Sequence, residues 1–265
     1  MVNDKNRDKL SFIDAEFNRR IEHQQLRQLR NVLPINGIKI NANGRNMLNF
    51  CSNDYLGLSM HPLLKTRSYE FIQKYGSGST ASRLICGNYD FYEKIENKLA
   101  QLKQVESSLV LSSGFQANIS VIPALADPDS LILSDQLNHN SLIMGSRLAR
   151  CKVKVYRHND LAHLEQLLLE NMDHGFSRIF IVTESVFSMD GDMADMKALV
   201  ALSKKSNAIL IVDDAHATGV SGHKGMGLTC GHDIDLVIGT FGKAAGSFGA
   251  YLACSKKLRD YMINC

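Results

Sequence analysis

The chain has 265 residues, enough for a full hydrophobic core and near the upper limit for a single domain. Its composition, 45% hydrophobic and 22% charged, is ordinary for a globular protein, and a net charge of +3 is too small to favour a nucleic-acid-binding protein. No apolar run approaches the roughly 18 residues of a membrane span, and the polar start lacks the apolar core of a signal peptide. We therefore expect a cytoplasmic protein with neither nucleic acid nor membrane as partner.

The six cysteines show no pattern typical of a metal site or a redox motif. None belongs to a Cys-x-x-Cys pair, and no group of cysteine and histidine has zinc spacing. Most of them lie in or beside apolar segments. We expect free, buried thiols in a reducing compartment, and no bound metal.

The first 60 residues are predicted to form an arm that is separate from the main domain. Residues 8–30 carry apolar side chains near helical spacing; Pro34 and two Asn-Gly pairs punctuate the next stretch, where 38–40 and 47–50 predict a hairpin. Arginines alternate with acidic and amide residues along the helix, which is typical of a solvated face. A phosphate-binding arm is the alternative, and Arg27 is the candidate substrate contact in it.

After residue 60, strand-like and helical segments alternate. Strands are predicted at 108–112, 131–134, 153–157, 179–183, 208–213, 236–239 and 250–254. Helices are predicted around 62–74, 90–104, 115–126, 140–150, 160–172 and 194–206, with another that begins near residue 256. This alternation predicts an α/β fold, with a mostly parallel sheet covered by helices on both faces in three αβα layers.

Two glycine-containing segments do not fit the common nucleotide-binding motifs. The Gly-x-Gly at 76–78 follows a helix and lacks both the third glycine and the ribose-binding acid of a dinucleotide fingerprint, which disfavours a Rossmann dehydrogenase. Gly242-Lys243 is followed by alanine, and no glycine stands five positions before Gly242. The sequence therefore excludes a P-loop at this place.

An aspartate, a histidine and a lysine follow two of the predicted strands. Asp213 and His216 come after one apolar run, and Lys243 follows the next one among small residues that let another group approach closely. In an open α/β sheet, chemistry gathers at the carboxyl ends of the strands, so we expect the three side chains at one edge. Pyridoxal phosphate (PLP) needs such a set, because a lysine forms the Schiff base and an acid holds the pyridinium nitrogen. Burial lowers the pKa of such a lysine and makes it nucleophilic.

Three more segments are expected at the same edge. Residues 112–118 follow a strand and open a helix, whose free N–H groups suit a phosphate; an ordinary N-cap turn is the alternative. His139 follows another strand and could cover a face of an aromatic cofactor, although a lone histidine at a helix start is usually structural. Residues 183–192 bring several hydroxyl and carboxyl groups, and the alternative there is a capped loop with Asp192 as N-cap.

Taken together, these motifs resemble the α-oxoamine synthases, which are PLP enzymes of fold type I. The resemblance runs from Leu48 to about Leu258. It rests on six segments, which are residues 49–58, 82–88, 113–118, 184–192, 213–220 and 240–243. It implies the three-layer domain of a fold-type I enzyme with pyridoxal phosphate as cofactor.

The resemblance implies a role for each matching position. Lys243 would form the Schiff base, Asp213 would pair with the pyridine nitrogen, and His139 would stack on the ring. The expected contacts to the ring hydroxyl oxygen are His216 and Ser188, those to the phosphate are Gly114, Phe115 and Thr240, and the polar residues near the substrate are Asn53 and Glu184. Of all these residues, the expected catalytic set is Lys243, His139, Asp213, His216 and Glu184.

Within the family, residues 82–88 and 213–220 are most similar to the branch that makes a biotin precursor. That branch condenses L-alanine with pimeloyl-CoA, or with a pimeloyl carrier-protein thioester, and releases CO2. The alternatives are other α-oxoamine synthases, of the glycine C-acetyltransferase or serine palmitoyltransferase type, and a non-catalytic fragment of a PLP domain. A transaminase fits the whole series of motifs less well. The resemblance also implies a homodimer.

The resemblance further implies a C-terminal α+β domain on the order of 100 residues, which is missing from this sequence. We therefore expect residues 1–60 as the arm of helix and hairpin, 61–256 as the PLP-binding large domain, and 257–265 as the start of the connection to the missing domain. The apolar side chains in that connection are expected to be uncovered: Leu258, Tyr261, Met262 and Ile263.

Overall fold

A computed structural model describes residues 9–265, and the chain divides into two compact units. The first unit runs to Phe50, and the second extends from Cys51 to Cys265. The domain limits expected after residues 60 and 256 stay predictions. Within residues 9–265, no helix is long and apolar enough to span a bilayer.

The first unit contains a helix and a small antiparallel sheet. Helix α1 covers Ser11–Glu22, and the sheet consists of β1 (Val32–Asn36), β2 (Lys39–Ala42) and β3 (Arg45–Leu48) in that order. The predicted hairpin is confirmed as β2 and β3. Strand β1 was not predicted because it contains Pro34, which an edge strand with an irregular register tolerates.

Helix α1 is shorter than the predicted span of 8–30, whose first residue lies outside the described part. The helix ends in a Schellman motif, in which Gln24 adopts a left-handed φ of 55° and the N–H of Gln25 donates to the C=O of Arg20 at 2.7 Å. The predicted end was wrong because glutamine, rather than the usual glycine, takes the left-handed position. Arg27 consequently lies beyond the helix and is exposed.

The second unit is built around a seven-stranded sheet. Its strands are β4 (Ser107–Leu111), β5 (Leu131–Asp135), β6 (Lys152–Tyr156), β7 (Ile179–Glu184), β8 (Ile209–Asp213), β9 (Leu236–Thr240) and β10 (Ala250–Cys254). Its helices are α2 (Pro62–Tyr75), α3 (Asp90–Lys103), α4 (Gly114–Leu125), α5 (Asn140–Leu148), α6 (Leu161–Asn171), α7 (Met196–Ser206) and α8 (Lys256–Asn264). The predicted alternation of strands and helices is confirmed, with boundaries that differ by a few residues.

The strand order is β4-β10-β9-β8-β7-β5-β6. Strand β10 pairs antiparallel with both β9 and β4, whereas the pairs among β9, β8, β7, β5 and β6 are parallel. The reversed direction of β10 did not follow from the sequence. The other six strands all end at one edge of the sheet, which we call the carboxyl edge.

The sheet is buried on both faces because its strands are apolar at every position. In β7, Ile179 and Ile181 pack in the cluster under α3, α6 and α7, while Phe180 and Val182 pack in the cluster under α4, α5 and α8. Full burial of such a side chain stabilises the fold by about 1.5–3 kcal/mol. Two-sided burial is what a mostly parallel sheet requires, and it holds the carboxyl edge rigidly.

Helix α8 packs on the sheet. Leu258, Met262 and Ile263 are partly buried against the cluster under α4 and α5, so the expectation that they are uncovered was wrong. Tyr261 is half exposed, and its hydroxyl donates to the C=O of Ala124 at 3.0 Å. The amphipathic helix finds its apolar partner in the sheet, which the sequence-based expectation did not consider.

The cysteines are free thiols, but they are mostly not buried. Cys254 on β10 is buried, Cys151 and Cys230 are partly buried, and the remaining three are exposed. The expectation of burial was wrong for these three because none of them lies in a strand of the sheet. Cys51 stands in a connecting segment, Cys86 in a short helical turn at Arg83–Gly87, and Cys265 after α8.

Candidate active site

Polar side chains gather at the carboxyl edge because several strands end in one. Strand β5 ends in Asp135, β7 in Glu184, β8 in Asp213 and β9 in Thr240, and all four are buried. Glu184 and Asp213 are partners in the register of the β7–β8 pair, so two carboxyl groups stand side by side. The fold therefore concentrates acidic groups where the six strands end.

The Asp213 carboxylate is oriented by one donor on each oxygen. The backbone N–H of Ala215 donates to Oδ1 at 2.9 Å, and Nδ2 of Asn118, on α4, donates to Oδ2 at 2.7 Å. Each oxygen keeps a second lone pair for another partner. Such a buried, oriented carboxylate is suited to hold a cationic ring nitrogen.

Lys243 follows β9 and bonds directly to His216. The distance from Lys243 Nζ to His216 Nε2 is 2.7 Å, and the Tyr55 hydroxyl lies 2.6 Å from Nδ1 of the same imidazole. The Tyr55 hydroxyl also donates to Oδ1 of Asn53 at 3.3 Å. The amine, the imidazole, the phenol and the amide therefore form one hydrogen-bonded group.

Burial sets the charge of the amine and the imidazole. Burial lowers the pKa of Lys243, and the nearby carboxyl groups of Asp213 and Glu184 oppose this shift. Burial also lowers the pKa of His216 to about 4, and the neighbouring Lys243 and His139 lower it further. His216 is therefore neutral at neutral pH, and Lys243 loses its proton more easily than an exposed lysine, which makes it a better nucleophile.

Glu184 is held beside His139. Burial raises the pKa of Glu184 to about 8, and Asp213 adds to this, while the backbone N–H of His139 and the charge of Lys243 oppose it. That N–H donates to Glu184 Oε1 at 2.5 Å. A carboxyl group with this pKa keeps its proton at neutral pH and can donate it, which suits general acid catalysis.

His139 is the N-cap of α5. Its Nδ1 accepts a hydrogen bond from the backbone N–H of Ser141 at 3.2 Å and lies 2.7 Å from the Ser141 hydroxyl. As N-cap, the imidazole accepts a hydrogen bond from one of the free N–H groups at the start of the helix, and the contact with Glu184 holds the His139 backbone at the carboxyl edge.

The start of α4 could hold a phosphate. Ser113 is the N-cap, and its hydroxyl accepts from the N–H of Gln116 at 3.2 Å. A Cβ on Gly114 would stand 3.8 Å from the Cβ of Thr240, so the start of the helix and the end of β9 meet here. The half-exposed Phe115 follows. Free N–H groups and the helix dipole make this corner attractive to an anion.

For two of the predicted residues, the role stays a prediction. Ser188 lies in an exposed turn between Val186 and Met193, and Arg27 is an exposed residue of the first unit. The alternative interpretation of residues 183–192 is also corrected, because the N-cap of α7 is Asp195. Asp192 instead accepts from the His158 imidazole at 2.8 Å, an interaction between distant segments that sequence spacing does not reveal.

Three residues of the site had no role in the sequence analysis: Tyr55, Asn118 and Ser141. Tyr55 and Asn118 lie within two of the segments that resemble the α-oxoamine synthases, residues 49–58 and 113–118. This position was the sequence feature that could have pointed to them. Their roles depend on contacts across 161 and 95 positions of the chain, which no local pattern contains.

The residues present fit pyridoxal phosphate. The carboxyl edge offers a poorly hydrated amine in Lys243, an oriented carboxylate in Asp213, a flat imidazole in His139 and a phosphate corner at Gly114. A separate cavity of about 910 Å³ lies at the opposite edge of the sheet and contains none of these residues. Within residues 9–265, no cluster of three or more His, Cys, Asp or Glu side chains is suited to a metal ion.

Residues 45–265 match the family model of aminotransferase class I and II, so the chain belongs to this family. A protein of Desulfosudis oleivorans, provisionally named 8-amino-7-oxononanoate synthase, is 59% identical over 256 residues. The match covers 97% of this chain and 66% of that protein. The chain thus spans just under two thirds of the length of this relative.

Solved structures agree with this assignment. A structure of serine palmitoyltransferase (SPT) with PLP internal aldimine superposes with a TM-score of 0.88 at 26% identity, covering 98% of this chain and 67% of the other. The 8-amino-7-oxononanoate synthase of Francisella tularensis gives a TM-score of 0.68 at 29% identity, over 81% of this chain and 60% of the other. The resemblance to the α-oxoamine synthases and the fold-type I architecture are confirmed.

Proposed function

We propose that the chain is the cofactor-binding large domain of an 8-amino-7-oxononanoate synthase. The cofactor is pyridoxal phosphate. The observation that carries the proposal is the bond of 2.7 Å between Lys243 Nζ and His216 Nε2, beside the buried carboxyl groups of Asp213 and Glu184. An amine whose pKa is lowered by burial and an oriented carboxylate on the same edge form the minimal set for this cofactor.

Pyridoxal phosphate supplies an electron sink for negative charge at the Cα of an amino acid. In our proposal Lys243 binds the cofactor aldehyde through Nζ and carries protons at that atom. Asp213 holds the positive charge of the ring nitrogen through its two oriented oxygens, and His139 covers a face of the ring. His216 and Ser188 bind the ring hydroxyl oxygen.

The phosphate and the substrates use the remaining predicted residues. Gly114, Phe115 and Thr240 are proposed to bind the phosphate at the start of α4. Glu184, which holds a proton at neutral pH, is proposed to donate it near the substrate, and Asn53 and Arg27 are proposed to bind substrate groups.

The proposed reaction is the condensation of L-alanine with pimeloyl-CoA or a pimeloyl carrier-protein thioester. A C–C bond forms between the alanine Cα and the thioester carbonyl, the thiol leaves, and the carboxylate of alanine leaves as CO2. The high identity to a relative with this name supports the choice of substrates. We also propose that the protein works in the cytoplasm as a homodimer, with residues 1–60 as an arm, 61–256 as the large domain and 257–265 as the start of a connection.

The cofactor attachment can be tested directly. PLP should give the chain a visible absorbance band that disappears on borohydride treatment, and peptide mapping should place the label on Lys243. Lys243→Ala should remove the band. Lys204→Ala, which changes an exposed lysine paired with Asp233, should keep it. Label on Lys204, Lys224 or Lys256 would exclude the proposed attachment.

A serine palmitoyltransferase-type reaction is the second candidate, because the SPT structure superposes with the higher TM-score, 0.88 against 0.68. An assay with L-alanine, glycine and L-serine, each combined with pimeloyl-, acetyl- and palmitoyl-CoA, distinguishes the two. We expect the highest rate with L-alanine and pimeloyl-CoA. A preference for L-serine and palmitoyl-CoA would favour the second candidate, and PLP binding without turnover of any pair would indicate a non-catalytic domain.

A further inference from the structure

Asn118 leaves one of its own polar atoms without a partner. Its buried Nδ2 donates to Asp213 Oδ2 at 2.7 Å and to Ser141 Oγ at 2.9 Å, while its Oδ1 has no hydrogen bond among residues 9–265. A buried carbonyl without a partner costs stability, so such a group calls for an explanation. Turning the amide over would place Oδ1 against the Asp213 carboxylate. The two acceptors therefore hold the amino group of Asn118 in place.

The direction of each hydrogen bond follows from the two ends of this cluster. At one end, the Asp213 carboxylate accepts from Asn118 Nδ2 and from the backbone N–H of Ala215. At the other end, the backbone N–H of Ser141 can only donate, and it donates to His139 Nδ1 at 3.2 Å. Since Nδ1 accepts, it carries no proton, and the Ser141 hydroxyl at 2.7 Å must also donate to it. The Ser141 oxygen then accepts from Asn118.

Close packing of two helices keeps these groups together. Asn118 lies on α4, and Ser141 lies on α5, one turn before Gly145. A Cβ on Gly145 would clash with the backbone oxygen of Asn118, so a larger residue would push the two helices apart. The contact between Asn118 and Ser141 is therefore built into the packing of the domain.

We infer that Asn118 and Ser141 are positioning residues that join His139 to Asp213. They hold His139 with its proton on Nε2, and they hold Asp213 in a fixed orientation. The inference rests on the proposed function, in which His139 and Asp213 both contact the cofactor ring. Asn118 and Ser141 then align His139, which covers the ring, with Asp213, which binds the ring nitrogen.

The proton position can be tested without cofactor. In ¹⁵N spectra of the apo chain at neutral pH, the His139 signals are identified by their loss in His139→Gln. We expect an unprotonated Nδ1 and a protonated Nε2. Ser141→Ala should shift the Nδ1 signal, because one donor is lost, and Ser141→Thr should restore it. A proton on Nδ1 in the unaltered chain, or an unchanged Nδ1 signal in Ser141→Ala, would overturn the inference.

The connection to Asp213 can be tested by PLP binding. Asn118→Leu keeps the shape but removes both donors, and we expect its Kd for PLP to rise about tenfold, the effect of one charge-assisted bond. Ser141→Ala should give a smaller rise. Because the two residues act as a unit, the double variant should bind no more than about twofold worse than Asn118→Leu. The control is Ser146→Ala, which changes a buried serine of α5 whose hydroxyl donates to the C=O of Leu142, and this variant should bind PLP normally.

The outcomes separate this inference from the proposed function. Additive effects of the two substitutions, or an unchanged Kd in folded Asn118→Leu, would overturn the inference while PLP binding stands. If Asn118→Leu does not fold, the Kd values of Ser141→Ala and Ser141→Thr for PLP are compared instead. Equal Kd values in these two variants would overturn the inference. If the unaltered chain does not bind PLP, the proposed function fails, and the proton position on His139 still decides whether the pair acts as inferred.

Discussion

Glu184 keeps its proton at neutral pH because the fold buries it beside Asp213. Burial raises its pKa from 4.5 to about 8. The folded state therefore retains a proton that the unfolded chain releases between these two values. As pH rises through this window, stability is lost, because deprotonation favours the unfolded chain. The loss is complete above pH 8 and is on the order of 5 kcal/mol at most.

Glu184→Gln should remove this pH dependence, since an amide does not titrate but can still accept the N–H of His139. We expect the free energy of unfolding of the variant, relative to the unaltered chain, to increase as pH rises from about 4.5 to about 8. Urea unfolding at several pH values measures it. The opposite titration of His216, whose pKa is lowered to about 4, affects both proteins equally and cancels in the difference. Parallel pH profiles would show that Glu184 is not the group responsible.

Asp213→Asn should leave the fold intact and remove most activity of the loaded enzyme. An amide cannot balance a positive ring nitrogen, and its own amino group would face a donor, either the N–H of Ala215 or Nδ2 of Asn118. Loss of one charge-assisted bond corresponds to about 1.5–3 kcal/mol.

The exchange of the alanine Cα proton in D2O measures the effect of Asp213→Asn, and circular dichroism checks the fold. Asp233→Asn, which changes an exposed aspartate paired with Lys204, is the control and should exchange normally. Normal exchange in Asp213→Asn would show that Asp213 does not hold the ring nitrogen.

At the scale of elements, a buried ion pair connects α3 to the segment after β8. Lys103 Nζ donates to Asp214 Oδ2, to the C=O of Met226 and to Thr229 Oγ1, each at 2.7 Å, and both charged side chains are fully buried. The Asp214 carboxylate lies directly after Asp213, so this pair fixes the segment that also carries His216. All three hydrogens of the ammonium group have acceptors.

Lys103→Met should destabilise the domain by about 3–5 kcal/mol, because the Asp214 carboxylate stays buried without its counter-charge. Chemical denaturation measures this loss. Lys94→Met, on the exposed face of the same helix and paired with Asp90, is the control and should change stability very little. A small effect of Lys103→Met would mean that water or a rearranged side chain replaces the ammonium group.

The regular elements of the second unit could be predicted because their apolar periodicity is strong. The same holds for Asp213 and Glu184 at the ends of their strands and for Lys243 just after β9. The rest depends on long-range contacts. The role of Lys103 was not predicted because a lysine near the end of an amphipathic helix is usually exposed, and its partner lies 111 positions away. The contact between Tyr55 and His216 likewise exists only in the folded chain. Local sequence patterns gave the wrong end for α1 and missed β1. In both cases a residue that is unusual for the position occupies it, Gln24 after the helix and Pro34 in the strand.

At the scale of the whole molecule, the sheet is completed by its last strand. Strand β10 lies between β9 and β4, and β4 has no other neighbour in the described sheet. A chain that ends at Gly249 would leave β4 without hydrogen-bonding partners and β9 with an open, apolar edge. Unpaired edges of this kind favour aggregation.

Ending the chain at Gly249 should therefore abolish the cooperative unfolding transition and give aggregates in size-exclusion chromatography. A chain that ends at Ser255, which keeps β10 and removes α8, is the control. It should unfold cooperatively, at a lower denaturant concentration, because the contacts of α8 are lost while the sheet stays complete. These contacts include the packing of Leu258, Met262 and Ile263 and the hydrogen bond from Tyr261 to Ala124. A cooperative transition without β10 would show that β4 finds another place in the sheet.

The position of β10 in the sequence also determines when the sheet can fold during synthesis on the ribosome. About 140 residues separate the end of β4 from the start of β10. At a synthesis rate of about 5–20 residues per second, β10, which is the neighbour of β4 in the described sheet, is reached roughly 7–28 s after β4. During that time its backbone and the turn at Gly114 that follows it remain available to chaperones and to other nascent chains. The corner suited to the phosphate is therefore expected to form only after β10 has been synthesised.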